Sequence, residues 1–340
     1  MNYLWIIISI FFITLTINLI LIKFNILIDN DKISVHKNFV KKNSIVPFSG
    51  GLIILIALIF FTSNDYLIIK FFLVAIFLLG LFSDLRLIIS PIKRLFMQII
   101  IIFFFLYFSK VFITSLNIDF FDYLLNINYV SFALTLFCLL ILINGSNFID
   151  GVNTLAIGYY LLISLVLFYL FKKYNFNLDI HTLLVFLLSL STLFLFNFFG
   201  KLYLGDNGSY LIAFFMGINL IELVNNNNFI SPYFVALLLW YPAYENFFSI
   251  IRKQVKKIPA SSPDNCHFHH LLFVYLNKGI KNKKISNTLT GISINLYNAL
   301  IFIIAVNYYS QTKIMIILLA ANLLVYSSLY FLLNKNVYKS

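Results

Sequence analysis

Apolar residues along this chain come in long unbroken runs, not in the alternation of an exposed sheet or the stripes of a soluble helix. Runs near the length of about 20 residues that crosses a hydrocarbon layer fall at 3–22, 46–62, 66–83, 95–113, 128–144, 152–172, 180–198, 208–224, 230–250, 288–308 and 314–333. The pattern predicts an all-α polytopic transmembrane bundle of about 11 spans, one edge blurred by Pro47, Gly50 and Gly51. An outer-membrane barrel would alternate inward and outward positions along each strand. No Gly/Ser-rich or proline-rich linker interrupts the series, so 1–340 reads as a single integral membrane domain. Its chemistry is expected in polar loops at about 23–45, 84–94, 144–151, 197–208 and 251–287. The N-terminus lacks a basic start and a small-residue cleavage site, so the first run reads as a retained helix.

Composition agrees: 61% of residues are hydrophobic, 19% aromatic and only 11% charged. A soluble domain carries roughly 25% charged residues, and so few charges could not cover a soluble surface of this size. The net charge is +12, which in a membrane chain reflects topology before it suggests nucleic acid. Of the 24 Lys and Arg, 19 lie on the side reached after odd-numbered spans and 5 on the other. The positive-inside rule then places the N-terminus outside and the C-terminus in the cytoplasm. Asp84, Asp150, Asp206, Glu245, Asp264, His36, His267, His269 and His270 gather on the same cytoplasmic side, although none was used in that count. Carboxylates beside long apolar runs are costly unless they face a cavity, pair or bind a metal. Cys138 and Cys266 form no CxxC pair and no disulfide framework.

Several polar groupings could carry chemistry. In Asn144-Gly-Ser-Asn147-Phe-Ile-Asp150-Gly151-Val-Asn153, Asn144, Asn147 and Asp150 recur every three residues and share a face if the segment is helical. That face suits a hydroxylated or phosphorylated ligand. In Gly205-Asp206-Asn207-Gly208-Ser209, preceded by Asn197 and Lys201, Asp206 reads either as an N-cap for the next span or as a Mg²⁺ ligand. In the second case the helix N-terminus, with its dipole and free N–H groups, favours phosphate. Pro263-Asp264-Asn-Cys266-His267-Phe-His269-His270 suits a nucleotide diphosphate or proton transfer near neutral pH, with zinc as the alternative. Arg252, Lys253, Lys256 and Lys257 beside it suit phosphate or anionic lipid. Ser83-Asp84-Leu-Arg86 leads to Ser90-Pro91-Ile-Lys93-Arg94 and Gln98. His36-Lys37 lies in a basic loop ahead of Pro47-Phe-Ser-Gly50-Gly51.

Taken in this order, the segments resemble the polyprenyl-phosphate N-acetylhexosamine-1-phosphate transferases (the MraY and WecA type, glycosyltransferase family 4). The histidine spacing is closer to the WecA-like branch. The resemblance covers about residues 1–290. It implies that undecaprenyl phosphate attacks the β-phosphate of a UDP-sugar, UMP leaves, and a lipid diphosphate sugar remains for cell-envelope glycan synthesis, lipopolysaccharide O-antigen among them. Implied residue roles are Asp84, Asp150 and Asp206 in catalysis and Asp206 with Asp150 on Mg²⁺, Mn²⁺ being the alternative ion. Asn144, Asn147, Lys201, Arg252, His267, His269 and His270 are implied in substrate binding. UDP-sugar, undecaprenyl phosphate and membrane lipids are the implied partners, nucleic acid is not, and a homodimer is compatible. The implied location is the bacterial cytoplasmic (inner) membrane, with the active site facing the cytoplasm.

Three departures mark a divergent subgroup. Ser83 stands where the family usually carries the first of two adjacent aspartates, Asn153 where some members have aspartate, and Glu245 where aspartate is common. A serine cannot act as a base, but a phosphomonoester is already largely ionised at neutral pH (second pKa about 6). Two other readings remain at this stage: a catalytically degenerate member that only binds nucleotide sugar or lipid, and a membrane transporter. The last two spans carry no assignable chemistry.

Overall fold

A computed structural model describes residues 3–29, 45–63, 67–174, 176–257, 259 and 266–338. His36, Lys37 and Asp264 lie outside the described residues, as does most of the 23–45 loop. The described chain is helical, as the apolar runs predict. In order the helices are α1 (Tyr3–Phe24), α2 (Gly50–Phe61), α3 (Leu67–Asp84), α4 (Pro91–Ser109), α5 (Asp119–Leu125), α6 (Asn128–Ile149) and α7 (Leu155–Tyr174). They continue with α8 (Ile180–Phe198), α9 (Gly205–Asn226), α10 (Pro232–Leu238), α11 (Trp240–Val255), α12 (Phe268–Ile280), α13 (Lys283–Asn307) and α14 (Thr312–Tyr338). A two-residue antiparallel ladder pairs β1 (Ile28–Asp29) with β2 (Val46–Pro47).

Among the described residues, nine helices are long and apolar enough to cross a membrane, and a bent pair, α10 with α11, brings the number to 10. The protein is a multi-pass membrane protein. Every apolar run has a helical counterpart, but two differ from a plain span. At 12 residues, α2 is about 18 Å long at 1.5 Å per residue, short of a hydrocarbon core of about 30 Å. Its last carbonyls are met by side chains: Lys70 Nζ donates to Ile59 O and Thr62 O, each at 3.0 Å. The 230–250 run is broken at Leu239, where α10 and α11 meet at 71°. Pro242 has no N–H to offer the carbonyl four residues earlier, and the hydroxyl of Tyr159 donates to that carbonyl, Leu238 O, at 2.8 Å.

The core forms around α9, whose surface is covered by protein on nearly every side. Helices α2, α3 and α6 pack on it, and α11 packs on α6. Glycines make the closest approaches. A Cβ on Gly80 would sit 2.5 Å from Asp206 O and Asn207 Cα, and one on Gly51 would sit 2.6 Å from Gly208 N. Small residues thus bring α2 and α3 against the first turn of α9, the contact that lipid-embedded helices favour. On the other flank α7 packs on α8 and α13, and α12 packs on α13 and α14.

Two boundary expectations are corrected. The 144–151 segment is not a loop: α6 runs on through Ile149, and only Asp150 and Gly151 follow it. The span expected from 208 begins three residues earlier, at Gly205, where φ is +73°, a conformation that glycine takes without steric cost.

Candidate active site

The first turn of α9 is the centre of the site. Leu204 precedes it and provides no side-chain cap, so the leading N–H groups need outside acceptors. Two carboxylates from other helices supply them. Asp84, at the end of α3, accepts from Asp206 N–H at 3.0 Å and from Asn207 N–H at 2.9 Å. Its second oxygen also takes the Asn207 side-chain amide at 2.6 Å. Asp150, just past α6, accepts from Gly205 N–H at 3.2 Å. The positive end of the helix dipole favours both charges. The N–H groups expected to be free for phosphate are therefore taken by carboxylates, and Asp206 lies inside the helix instead of capping it.

Asp206 points away from those N–H groups into a polar cluster. Its Oδ2 accepts from Ser83 Oγ at 2.6 Å and pairs with Arg94 Nη1 at 2.8 Å. Arg94 also donates to Ser83 Oγ at 2.7 Å. The Oδ1 of Asp206 accepts from the Asn147 amide at 2.6 Å, and that amide also reaches Ser209 Oγ at 3.2 Å. Ser90 positions Arg94: it caps α4, accepting from Lys93 N–H, with Pro91 in the first turn, where its missing N–H costs nothing. The Arg94 and Asp206 side chains remain 25% and 14% exposed, so this pair borders the accessible part of the cluster.

The histidines lie beside Asp150. A Cβ on Gly151 would collide with Nε2 of His269 and sit 2.9 Å from Nε2 of His270. The rings of His267 and His269 are stacked, with centroids 5.6 Å apart and planes 7° apart, and His270 lies edge-on to both. His267 Nδ1 meets Glu245 Oε1 at 2.8 Å, and Glu245 is fully buried on α11. His269 is also fully buried, and neither ring nitrogen has a hydrogen-bond partner among the described residues. Burial, and then the neighbouring His270 and His267, hold its pKa well below the ordinary histidine value. A buried imidazole without a partner is costly, and a ligand with hydrogen-bonding oxygens would remove that cost.

Carboxylates, an arginine and histidines are thus grouped at one end of a helical bundle. The sequence profile of glycosyl transferase family 4 matches residues 66–224. The chain is thus similar to that family over somewhat less than half of its length. A Bacillus subtilis (strain 168) protein named "Probable undecaprenyl-phosphate N-acetylglucosaminyl 1-phosphate transferase" is 23% identical over 169 residues, which are 48% of this chain and 47% of that relative. The match thus spans about half the length of the curated relative. Asp84, Asn147, Asp150 and Asp206 fall inside the profile match, whereas Glu245, Arg252 and the histidines lie beyond it.

The residues implied by resemblance are not all brought together. Asp84, Asn147, Asp150 and Asp206 converge on the start of α9, and His269 and His270 adjoin them through Gly151. Asn144 sits further back along α6 and donates to Gln98 Oε1 at 2.8 Å and Leu140 O at 2.9 Å. Lys201 is exposed in the turn after α8. Arg252 lies behind the histidines: its Nη1 donates to Cys266 O at 2.7 Å and Tyr330 OH at 3.2 Å. No group of three His, Cys, Asp or Glu side chains is disposed to hold a metal among the described residues. The donors present are hard carboxylate oxygens, with Asp206 partly exposed. They fit Mg²⁺, which binds through one or two carboxylates and completes its shell with water and substrate phosphate, without a cage of protein ligands.

The sequence reading did not single out Arg94 as a partner of Asp206, nor Tyr326. The signal for Arg94 was its place in the Ser90–Arg94 segment. Tyr326 lies on α14, and no local pattern distinguished it. Both of the last two helices, to which the sequence assigns no chemistry, reach the site region. Asn287 of α13 accepts from Asn153 N–H at 2.6 Å, and Tyr326 donates to Glu245 Oε2 at 2.7 Å.

Proposed function

We propose that this chain is a family 4 transferase that transfers an N-acetylhexosamine 1-phosphate from a UDP-sugar to undecaprenyl phosphate at the cytoplasmic face of a bacterial inner membrane. UMP is released, and the lipid diphosphate sugar enters cell-envelope glycan synthesis. The observation that carries the reading is the convergence of Asp84, Asp150 and Asp206 on one helical turn, with Arg94 and three histidines alongside. Phosphoryl transfer demands little covalent chemistry from a protein; it needs in-line positioning and neutralisation of charge.

In this reading a phosphate oxygen of the lipid forms a bond to the β-phosphorus, and the bond from that phosphorus to the UMP oxygen breaks. His267, His269 and His270 bind the diphosphate, and His269 gains an acceptor for its ring N–H. Asp206 and Asp150 would hold Mg²⁺, which when bound offsets the charge of the diphosphate. With Mg²⁺ on Asp206, the guanidinium of Arg94 would be available to a phosphate oxygen. Asp84 holds the first turn of α9 in place. Ser83 takes no proton, and an already ionised lipid phosphate needs no base.

The test is UMP release by detergent-purified protein, with undecaprenyl phosphate, Mg²⁺ and a panel of UDP-sugars. The expected result is release that requires both lipid and metal, ceases on chelation, and falls about 10²- to 10³-fold in Asp206→Ala, the scale of removing a main electrostatic group from a site. The Arg94–Asp206 pair and Ser83 also suit a member that binds without turnover. Tight UDP-sugar binding with no release from any donor would establish that alternative.

A further inference from the structure

The last helix, α14, faces outward along much of its length, yet two of its tyrosines, one turn apart, reach inward to the histidine segment. Tyr326 OH donates to Glu245 Oε2 at 2.7 Å. The other oxygen of Glu245 accepts from Phe268 N–H at 3.2 Å and meets His267 Nδ1 at 2.8 Å. Tyr330 OH donates to Cys266 O at 3.1 Å, the carbonyl that Arg252 also holds. Tyr326, Tyr330, Glu245 and His267 are each at least nine-tenths buried. Cys266 and Phe268 flank His267 in the chain, so the tyrosines act on both sides of it. A carboxylate only accepts hydrogen bonds. The shared proton therefore belongs on His267 Nδ1, and Nε2 is the nitrogen left for a ligand, donating to a phosphate oxygen only when it too carries a proton.

We propose that α14 is part of the catalytic apparatus: Tyr326, acting through Glu245, fixes the ring orientation and protonated nitrogen of His267, while Tyr330 and Arg252 fix the backbone before it. Tyr326 and Glu245 are positioning residues, since neither reaches the carboxylate cluster. The same logic operates where a second residue orients a ligand histidine and sets its tautomer. The proposal rests on the histidines binding the diphosphate, and α14 lies far outside the family-matched stretch.

A double-mutant cycle tests it, with a spectroscopic readout that does not depend on turnover. Tyr326→Phe removes one hydroxyl and leaves the ring packing. It is expected to reduce kcat/KM for UMP release about 5- to 20-fold in the wild-type background and less than 2-fold in a His267→Ala background. That loss of effect is the coupling expected for two groups acting as one unit. In parallel, ¹⁵N-histidine NMR, with the His267 signal assigned by its loss in His267→Asn, should show Nδ1 protonated in the wild type. Glu245→Gln and Tyr326→Phe should each raise the population protonated on Nε2 alone. Equal effects of Tyr326→Phe in both backgrounds, or a wild-type His267 protonated only on Nε2, would overturn the proposal. If no UDP-sugar is turned over, the NMR result still decides the relay, and only the transfer reading fails.

Discussion

Asp84 shows how a carboxylate can be read two ways. As a sequence element it looks like a base or ligand beside a membrane span. In the fold both of its oxygens accept from the first turn of α9. Asp84→Asn replaces one acceptor with a donor facing N–H groups, so it should cost about 1–2 kcal/mol, the upper range for loss of a helix cap, visible as a lower melting temperature in detergent. If Asp84 acted on the substrate directly, activity would fall with no change in melting. His269 provides a second residue-scale prediction. Its buried ring resists protonation in the folded protein, while in the unfolded chain it takes a proton near the ordinary pKa of about 6.5. The unfolded state then binds more protons below that pH, so stability falls as the solution is acidified. The melting temperature should drop from about pH 6.5 downwards, and His269→Asn should flatten that slope.

Among the elements, α3 and α9 are held together at a spacing that only glycine permits. A side chain on Gly80 would meet backbone atoms of Asp206 and Asn207, and backbone cannot rotate aside as a side chain can. Gly80→Val should destabilise by about 1–3 kcal/mol through overpacking. It should also displace the turn that carries Asp206, lowering activity more than the loss of folded protein explains. Parallel measurement of UMP release and of monodisperse protein by size-exclusion chromatography separates the two effects. The break between α10 and α11 is the other element-scale feature. Pro242 predicts a distortion, and Tyr159 of α7 compensates by hydrogen-bonding the carbonyl left without its helical partner.

For the whole molecule, the site residues lie at one end of the bundle, where α3, α6 and α11 end and α4, α9 and α12 begin. The charge bias assigns that end to the cytoplasm, a proposal that labelling can check. In a background lacking Cys138 and Cys266, a cysteine at Lys313 should react with a membrane-impermeant maleimide in intact cells. One at Lys335 should react only after the membrane is permeabilised. Labelling in the reverse pattern would invert the topology and place the site outside.

By itself the sequence determined that the chain is a multi-span helical membrane protein. The free energy of burying an apolar run in lipid adds along the chain, so hydropathy reads it directly. It also made Asp84, Asn147, Asp150, Asp206 and the histidines legible, because polar side chains are rare against such a background. Tertiary structure alone decided their partners. Asp84 and Asp206 are distant in the chain, as are Glu245 and Tyr326, and no local pattern links either pair. In lipid both the buried and the outward faces of a helix are apolar, so periodicity carries little information about which face meets protein. Close approach at Gly51 and Gly80 sets how α2 and α3 pack on α9, and with it which carboxylate caps that helix; the packing of α14 decides which tyrosine reaches Glu245.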